Sequence, residues 1–384
     1  MVLPKIKEVT SILAFAKKAF TKGSFRCIVQ YVNGLISLAR KTVKKISEAS
    51  SEIDNQSELN YVLTESKFEQ EALTKRYLEK IRYLFKNVQV YLIIDDTLVE
   101  RNGKTVQEAQ SHFDHNSQGY IRGHQFFTAL LWTPILQLPI FPQLYSKNTD
   151  SKIEMAQSLI DRIDLAKIKI DTVLFDSWYS EEILIKKCIE TKARVVCSIK
   201  TNRKIKIGRS NRWKSLSFIS ERIRSQKLED CEVGGNTYST WSRVIFLNHL
   251  PAVRIVISEQ KNEEDELKGK AILISTNVKD SSKEIICVYK NRWKIETYHR
   301  DIKQNLGFAT VFFTRREGII RHAILASITY AVLSLFMFRT GKSMTIGECC
   351  EYLRNKSTIS LVREIVVIAN KPERLEKFEE VFIS

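Results

Sequence analysis

The chain has 384 residues, 43% of them hydrophobic, with 13 Gly and 6 Pro. These values exclude a collagen-like, low-complexity or disordered chain and leave two or three globular domains, or one large domain with insertions. The formal charge of +17 suggests a polyanionic partner, nucleic acid or an acidic membrane, unless the whole proteome is basic.

Residues 1–85 read as helices. Apolar residues recur at helical spacing in "IKEVTSILAFAKKAF" and "FRCIVQYVNGLISLARKTVKKI", and again in "FEQEALTKRYLEKIRYLF" after a polar break. No helix-turn-helix signature is present. The apolar patch "ILAFA" is too short for a secretory signal and runs into Lys17 and Lys18. The pattern changes at "VQVYLIIDDT", a β-branched strand that ends in two carboxylates. "GHQFFTALLW" and "LQLPIFPQLY" read as two more strands, and "SKIEMAQSLIDRIDL" as an amphipathic helix. "IDTVLFD" is a buried strand that again ends in Asp, "SEEILIKKCIETK" a helix capped by Ser180, and "RVVCSIK" a further strand. The layout is mixed α/β.

A basic run follows, "KTNRKIKIGRSNRWKSLSFISERIR", with nine Lys or Arg and one Glu. It reads as a groove that tracks a phosphate backbone, or as a solvated charged hairpin. "NTYSTWSRVIFL", "AVRIVIS" and "KAILIST" look like strands of a β-rich insertion, with the acidic loop "EQKNEEDELKG" as a solvated turn. A long helix begins near Ser282. The buried helix "IIRHAILASITYAVLSLFMF" and a small helical tail complete the chain. The uncharged runs Gln125–Tyr145, which holds three Pro, and Ala323–Phe338, which is short of the ~20 residues of a membrane span, read as core. Seven Cys without a CxxC pair give neither a zinc ribbon nor a redox motif, and read as reduced thiols. His112, His115 and His124 match no zinc spacing. "GKT" at 103–105 lacks the leading Gly of a phosphate-binding loop, and the EF-hand-like start at Asp114 lacks its last Glu.

Three carboxylates stand out. Asp96 (with Asp95 before it) and Asp176 end apolar strands, where ligands bind in α/β sheets. Glu296 lies in "YKNRWKIETYHRDIK", where Tyr289, Arg292, Glu296 and Lys303 share one narrow face if the stretch is a single helix. Taken singly, a strand-end Asp is a turn former and Glu296 is an i±4 partner of Arg292 and Arg300. Taken together, hard oxygen donors from two strands and a helix suit Mg²⁺ or Mn²⁺, and two such ions support phosphodiester chemistry.

The spacing Y-x2-R-x3-E-x6-K downstream of "IIDDT" and "LFDSWY" closely resembles that of the DDE transposases of the IS-four family of bacterial insertion sequences, over residues 86–340. The resemblance implies an RNase H-like mixed sheet flanked by helices, with a β-rich insertion at about 201–280 before the Glu-bearing helix. Residues 1–85 and 341–384 would be helical additions, with DNA-end binding as the candidate role of the first. It implies that Asp96, Asp176 and Glu296 are the catalytic, metal-binding triad, holding two Mg²⁺ or Mn²⁺ ions. Asp96 is preferred to Asp95 because it directly precedes Thr97. Tyr289, Arg292 and Lys303 would contact phosphates of the transposon end, with Arg300, Lys200, Arg203, Lys204 and Lys206 as further DNA contacts. Trp241 would stack on a flipped base, with Trp213 as the alternative and core packing as the alternative for both; Trp178 and Trp293 read as core beside the site. The implied activity is cut-and-paste transposition through a hairpin, by a homodimer on double-stranded DNA in the bacterial cytoplasm, away from membranes. A metal-dependent nuclease of the same fold, or a non-catalytic DNA-binding copy, are the alternatives.

Overall fold

The computed structural model describes residues 3, 6–103, 105–114, 118–208, 212–223, 228–261, 267–310 and 312–369. His115, part of the basic run, the centre of the acidic loop and the end of the tail lie outside them. Helices α1 (Lys7–Leu13), α2 (Lys22–Ser37), α3 (Val43–Ala49), α4 (Gln56–Thr64) and α5 (Gln70–Ile81) come first. Strands β1 (Tyr91–Glu100), β2 (Gln110–Asp114), β3 (Gly119–Trp132) and β4 (Gln137–Tyr145) follow. Then come α6 (Lys152–Leu165), β5 (Thr172–Phe175), α7 (Glu182–Glu190), β6 (Arg194–Ser198), β7 (Lys204–Ile207), β8 (Lys214–Ser215) and the short α8 (Leu216–Ser220). The remainder is β9 (Glu229–Val233), β10 (Asn236–Leu247), β11 (Val253–Lys261), β12 (Leu267–Ser275), α9 (Ser282–Lys290), α10 (Trp293–Asn305), α11 (Arg316–Thr340) and α12 (Ile346–Ala369).

The chain divides into two compact units. One comprises Met1–Arg76, Gly103–Gln107 and Arg300–Ser384, the other Tyr77–Asn102 and Glu108–His299. The first unit is helical. Thr21, Thr42 and Asn55 each accept a backbone N–H at the start of a helix, which satisfies donors the helix itself cannot. Its centre is α11, which is apolar on all sides and buried for most of its length. This helix is longer than the uncharged run in the sequence and is apolar enough to cross a bilayer, but 89% of that apolar window is packed inside the protein. His322 of α11 meets the Tyr31 hydroxyl at 2.9 Å in the interior.

The second unit is built on one mixed sheet in the order β2-β3-β1-β5-β6-β12-β11-β10-β7-β8, with β4 also on β3 and β9 also on β10. Among the described residues only the β1–β5 and β5–β6 pairs are parallel. Tyr91–Ile94 and Thr172–Phe175 are buried without a break, as central strands covered on both faces require. The β-rich segment extends the same sheet: β12 pairs with β6 at Ile274 and Cys197. Strand β2 has no apolar alternation and is absent from the expectations; its pairing with β3 makes it a strand.

Two expectations about helices are corrected. Ser180 does not cap α7. The N-cap is Glu181, and the Ser180 hydroxyl donates instead to the Ser177 carbonyl. Nor is the motif-bearing segment one helix. It breaks at Asn291–Arg292, where Asn291 and Arg292 donate three residues back to Val288 and Tyr289. Ser281 opens α9 with a reciprocal capping box to Glu284, and Glu296 falls in the first turn of α10.

Candidate active site

The site forms where β1 runs beside β5. Ile93 pairs with Leu174, so the same register places Asp95 level with Asp176 just past the end of β5. Side chains alternate across a strand, so Asp95 and Asp96 leave β1 on opposite faces. On the first face, Asp95 Oδ2 accepts from Arg292 Nη1 at 3.2 Å, and Arg292 Nη2 donates to Glu296 Oε1 at 2.5 Å. Asp95 Oδ1 accepts the Asp96 backbone N–H at 2.8 Å. Thr128, paired with Asp95 across the β1–β3 ladder, donates to the Asp95 carbonyl at 2.9 Å and lies 2.8 Å from His299 Nε2. Asp176 turns the chain after β5, accepting the Trp178 and Tyr179 N–H groups at Oδ1.

On the other face Asp96 is fully engaged. Lys152 Nζ at 2.5 Å and the Tyr179 hydroxyl at 3.2 Å donate to its Oδ2, and Gln125 Nε2 donates to its Oδ1 at 2.8 Å. The Lys152 ammonium sits 4.2 Å from the centre of the Trp178 ring. Lys152 is the first residue of α6, directly after the capping-box residue Ser151.

Burial, and then the neighbouring Asp96 carboxylate, push the Asp95 pKa up to about 7, while Arg292 pulls it the other way. Burial raises Tyr179 well above its ordinary value, with Asp96 the next cause. Tyr289 is raised by burial, and its hydroxyl donates to Ser198 Oγ at 3.0 Å.

Asp96, the expected member of the triad, and Asp95 have different partners. The residue that stands with Asp176 and joins Glu296 through Arg292 is Asp95; Asp96 points to α6, and both of its oxygens are taken by donors of this chain. The single helix face is also replaced. Tyr289 ends α9, Arg292 sits in the break, and Glu296 opens α10. Arg300 and Lys303 lie further along α10, beyond the boundary between the two units. Sequence reasoning missed Lys152, Gln125 and Tyr179 altogether. Tyr179 follows the Asp in "FDSWY", but nothing in the sequence joins Lys152 or Gln125 to Asp96.

Trp241 is corrected too. It is 7% exposed, within the core of the β10 region, and offers no face to a base, whereas Trp213 is 44% exposed. Trp293, at 64%, and Trp178, at 39%, are surface residues and not core. Lys206 lies over Trp213 and Phe246, at 5.9 and 5.3 Å from the ring centres. Lys200, Arg203, Lys204 and Trp213 line an open pocket of about 600 Å³, at whose edge Arg203 pairs with Glu181 at 3.0 Å. His112 and His124 are buried, and among the described residues no group of three or more His, Cys, Asp or Glu side chains stands ready to hold a metal ion. The donors do fit a hard divalent cation in kind: Asp95, Asp176 and Glu296 offer only carboxylate oxygen. Arg292 pairs with both Asp95 and Glu296.

The family model for the transposase DDE domain matches residues 87–332, a span that takes in β1, β5 and α10. No curated protein matches the chain.

Proposed function

The chain belongs to the transposase DDE domain family, and from that premise we propose that it cuts DNA at the ends of its own mobile element and joins those ends to target DNA. Transposases of this family act on DNA and generally use divalent metal ions. The observation that carries the reading is that Arg292 bridges Asp95 and Glu296 beside the end of β5, where the strand register sets Asp176 level with Asp95. In this reading Asp95, Asp176 and Glu296 hold Mg²⁺ or Mn²⁺. When bound, the ions supply Lewis-acid stabilisation of the phosphodiester oxygens.

The chain's own residues position the rest. Arg292 forks onto a phosphate and Lys303 supplies a point charge. Tyr289, anchored on Ser198, closes one side of the site. Lys152, Gln125 and Tyr179 fix the backbone of β1 through Asp96, and so the direction of Asp95. Lys200, Lys204, Lys206 and Trp213 offer a basic and aromatic surface to the DNA leading away. The proposed sequence is hydrolysis at the element end, attack of the freed 3′-hydroxyl on the opposite strand to give a hairpin, reopening, and attack on target DNA by a DNA-bound dimer. Membership of the IS-four group, suggested by the Tyr289, Arg292, Glu296 and Lys303 spacing, is part of the proposal.

The test is a labelled linear duplex carrying the gene's own flanking DNA, incubated with the protein in Mg²⁺, Mn²⁺ or EDTA, beside Asp176→Ala. Metal-dependent nicking at the element boundary, absent in the variant, is the expected result, with a slow-migrating hairpin on denaturing gels. Binding without cutting in either metal would overturn the catalytic reading.

A further inference from the structure

One guanidinium serves two carboxylates. Arg292 reaches Asp95 at 3.2 Å and Glu296 at 2.5 Å, and only 16% of its side chain is exposed. Its charge is therefore poorly screened by solvent, and so is its effect on any neighbouring cation. When all are ionised, the three acidic residues supply three negative charges, and Arg292 returns one. A single divalent ion would balance the remainder; a second would leave an excess of two positive charges, which only an arriving anion can neutralise. Metal and Arg292 thus compete for the same oxygens, and like charges at this range repel strongly.

We infer that Arg292 is an exchangeable counter-ion, holding Asp95 and Glu296 while the site is free of metal and passing to a DNA phosphate when divalent cations enter, so that cations and DNA bind cooperatively. The inference rests on the proposed function and deepens it. The position of Arg292 suits the exchange. It lies in the tight turn between α9 and α10 and not within either helix, and it is flanked by the rings of Tyr289 and Trp293, each 5.9 Å from the guanidinium carbon. A planar guanidinium binds carboxylate and phosphate in the same forked geometry, so the exchange replaces one partner by another of like shape. Coupling of this kind is reciprocal: whatever DNA does to cation affinity, the cation does to DNA affinity.

The test is Mn²⁺ titration of the full chain without DNA, followed by electron paramagnetic resonance of the free ion. Arg292→Met should bind Mn²⁺ about tenfold more tightly than the native protein, because a repelling unit charge is gone. Arg292→Gln carries the same expectation should the Met variant misfold by circular dichroism. In a second arm, native protein should hold the flanking-DNA duplex at least about fivefold more tightly in Ca²⁺ than in EDTA, while Arg292→Met shows no such difference. Equal or weaker Mn²⁺ binding by both variants, or an unchanged Ca²⁺ effect on duplex binding, overturns the inference. Asp95→Asn separates the two levels. If it binds Mn²⁺ as the native protein does, the metal-site reading itself fails; if it loses Mn²⁺ while the Arg292 variants behave as native, only the exchange fails.

Discussion

Lys152 Nζ stands 2.5 Å from Asp96 Oδ2, on the face of β1 turned away from Arg292. Both side chains are largely shielded, the lysine at 8% exposure. Removing one member of such a pair leaves the other charge uncompensated, which typically costs about 3–5 kcal/mol. Lys152→Met should therefore lower the stability measured by urea unfolding by an amount in that range, and Asp96→Asn should also lower it, because Lys152 loses its counter-ion and Asn keeps one of the two oxygens that Tyr179 and Gln125 use. The double variant should be more stable than Lys152→Met alone. Independent, additive losses would show that the pair contributes no coupling.

The same relationship separates the two adjacent aspartates by function. Asp95→Asn should keep element-end binding and lose cleavage, in the same manner as Asp176→Asn and Glu296→Gln. Asp96→Asn should cleave, with a loss no greater than the roughly 10–100-fold that residues supporting a metal ligand cost. Single-turnover cleavage of the labelled duplex, with binding measured in parallel by gel shift, decides the matter. Full activity in Asp95→Asn and none in Asp96→Asn would restore the assignment read from the sequence.

Most of the architecture could be read from the sequence because it depends on periodicity. The β1, β3, β4, β5 and β6 strands and the α6 helix declare themselves by apolar runs or 3.6-residue spacing, and the two strand-end acids by their context. What could not be read depends on which way a side chain leaves a strand and on whether a helix continues. "DDT" places two acids in a row, and only the folded chain shows that Asp95 is the one joined to Glu296 through Arg292. "YKNRWKIE" has helical periodicity throughout, yet two backbone bonds at Asn291 and Arg292 tighten it into a break that no side-chain pattern announces. Lys152 was invisible because its partner lies 56 residues away. Trp241 and Trp213 look alike in a sequence, and only the packing around β10, where Ser239, Thr240 and Trp241 are buried in succession, sets them apart.

His112 provides a pH test remote from the acidic face. It is buried, and its pKa lies below the ordinary histidine value, from burial first and then the Lys147 and Lys152 charges, with Asp96 opposing. A depressed folded-state value means that the folded protein prefers neutral His112. Its contribution to stability is complete above the unfolded-state value near 6.5 and is lost as pH falls through the folded-state value. Urea unfolding of native protein and His112→Gln at pH 5 and pH 8 should show the native protein losing more stability toward acid than the variant. Equal losses would remove His112 as a contributor.

The exposed and buried tryptophans make opposite predictions, and one pair of variants tests both. Trp213→Ala deletes a solvent-facing ring under Lys206, so stability should change by less than about 0.5 kcal/mol. Loss of a base-stacking ring should weaken duplex or single-strand binding by about 1–3 kcal/mol. Trp241→Ala opens a cavity in the sheet core and should cost about 3–5 kcal/mol of stability. At conditions where it remains folded, its DNA affinity should match the native value. Salt dependence distinguishes stacking from charge. Lys206→Gln should flatten the log–log slope of binding against salt by about 0.9 for one lost phosphate contact, while Trp213→Ala shifts the line with its slope unchanged. A changed slope in Trp213→Ala would mean that the ring acts by holding Lys206 in place; an unchanged line in both variants would take the β7 surface out of the DNA path.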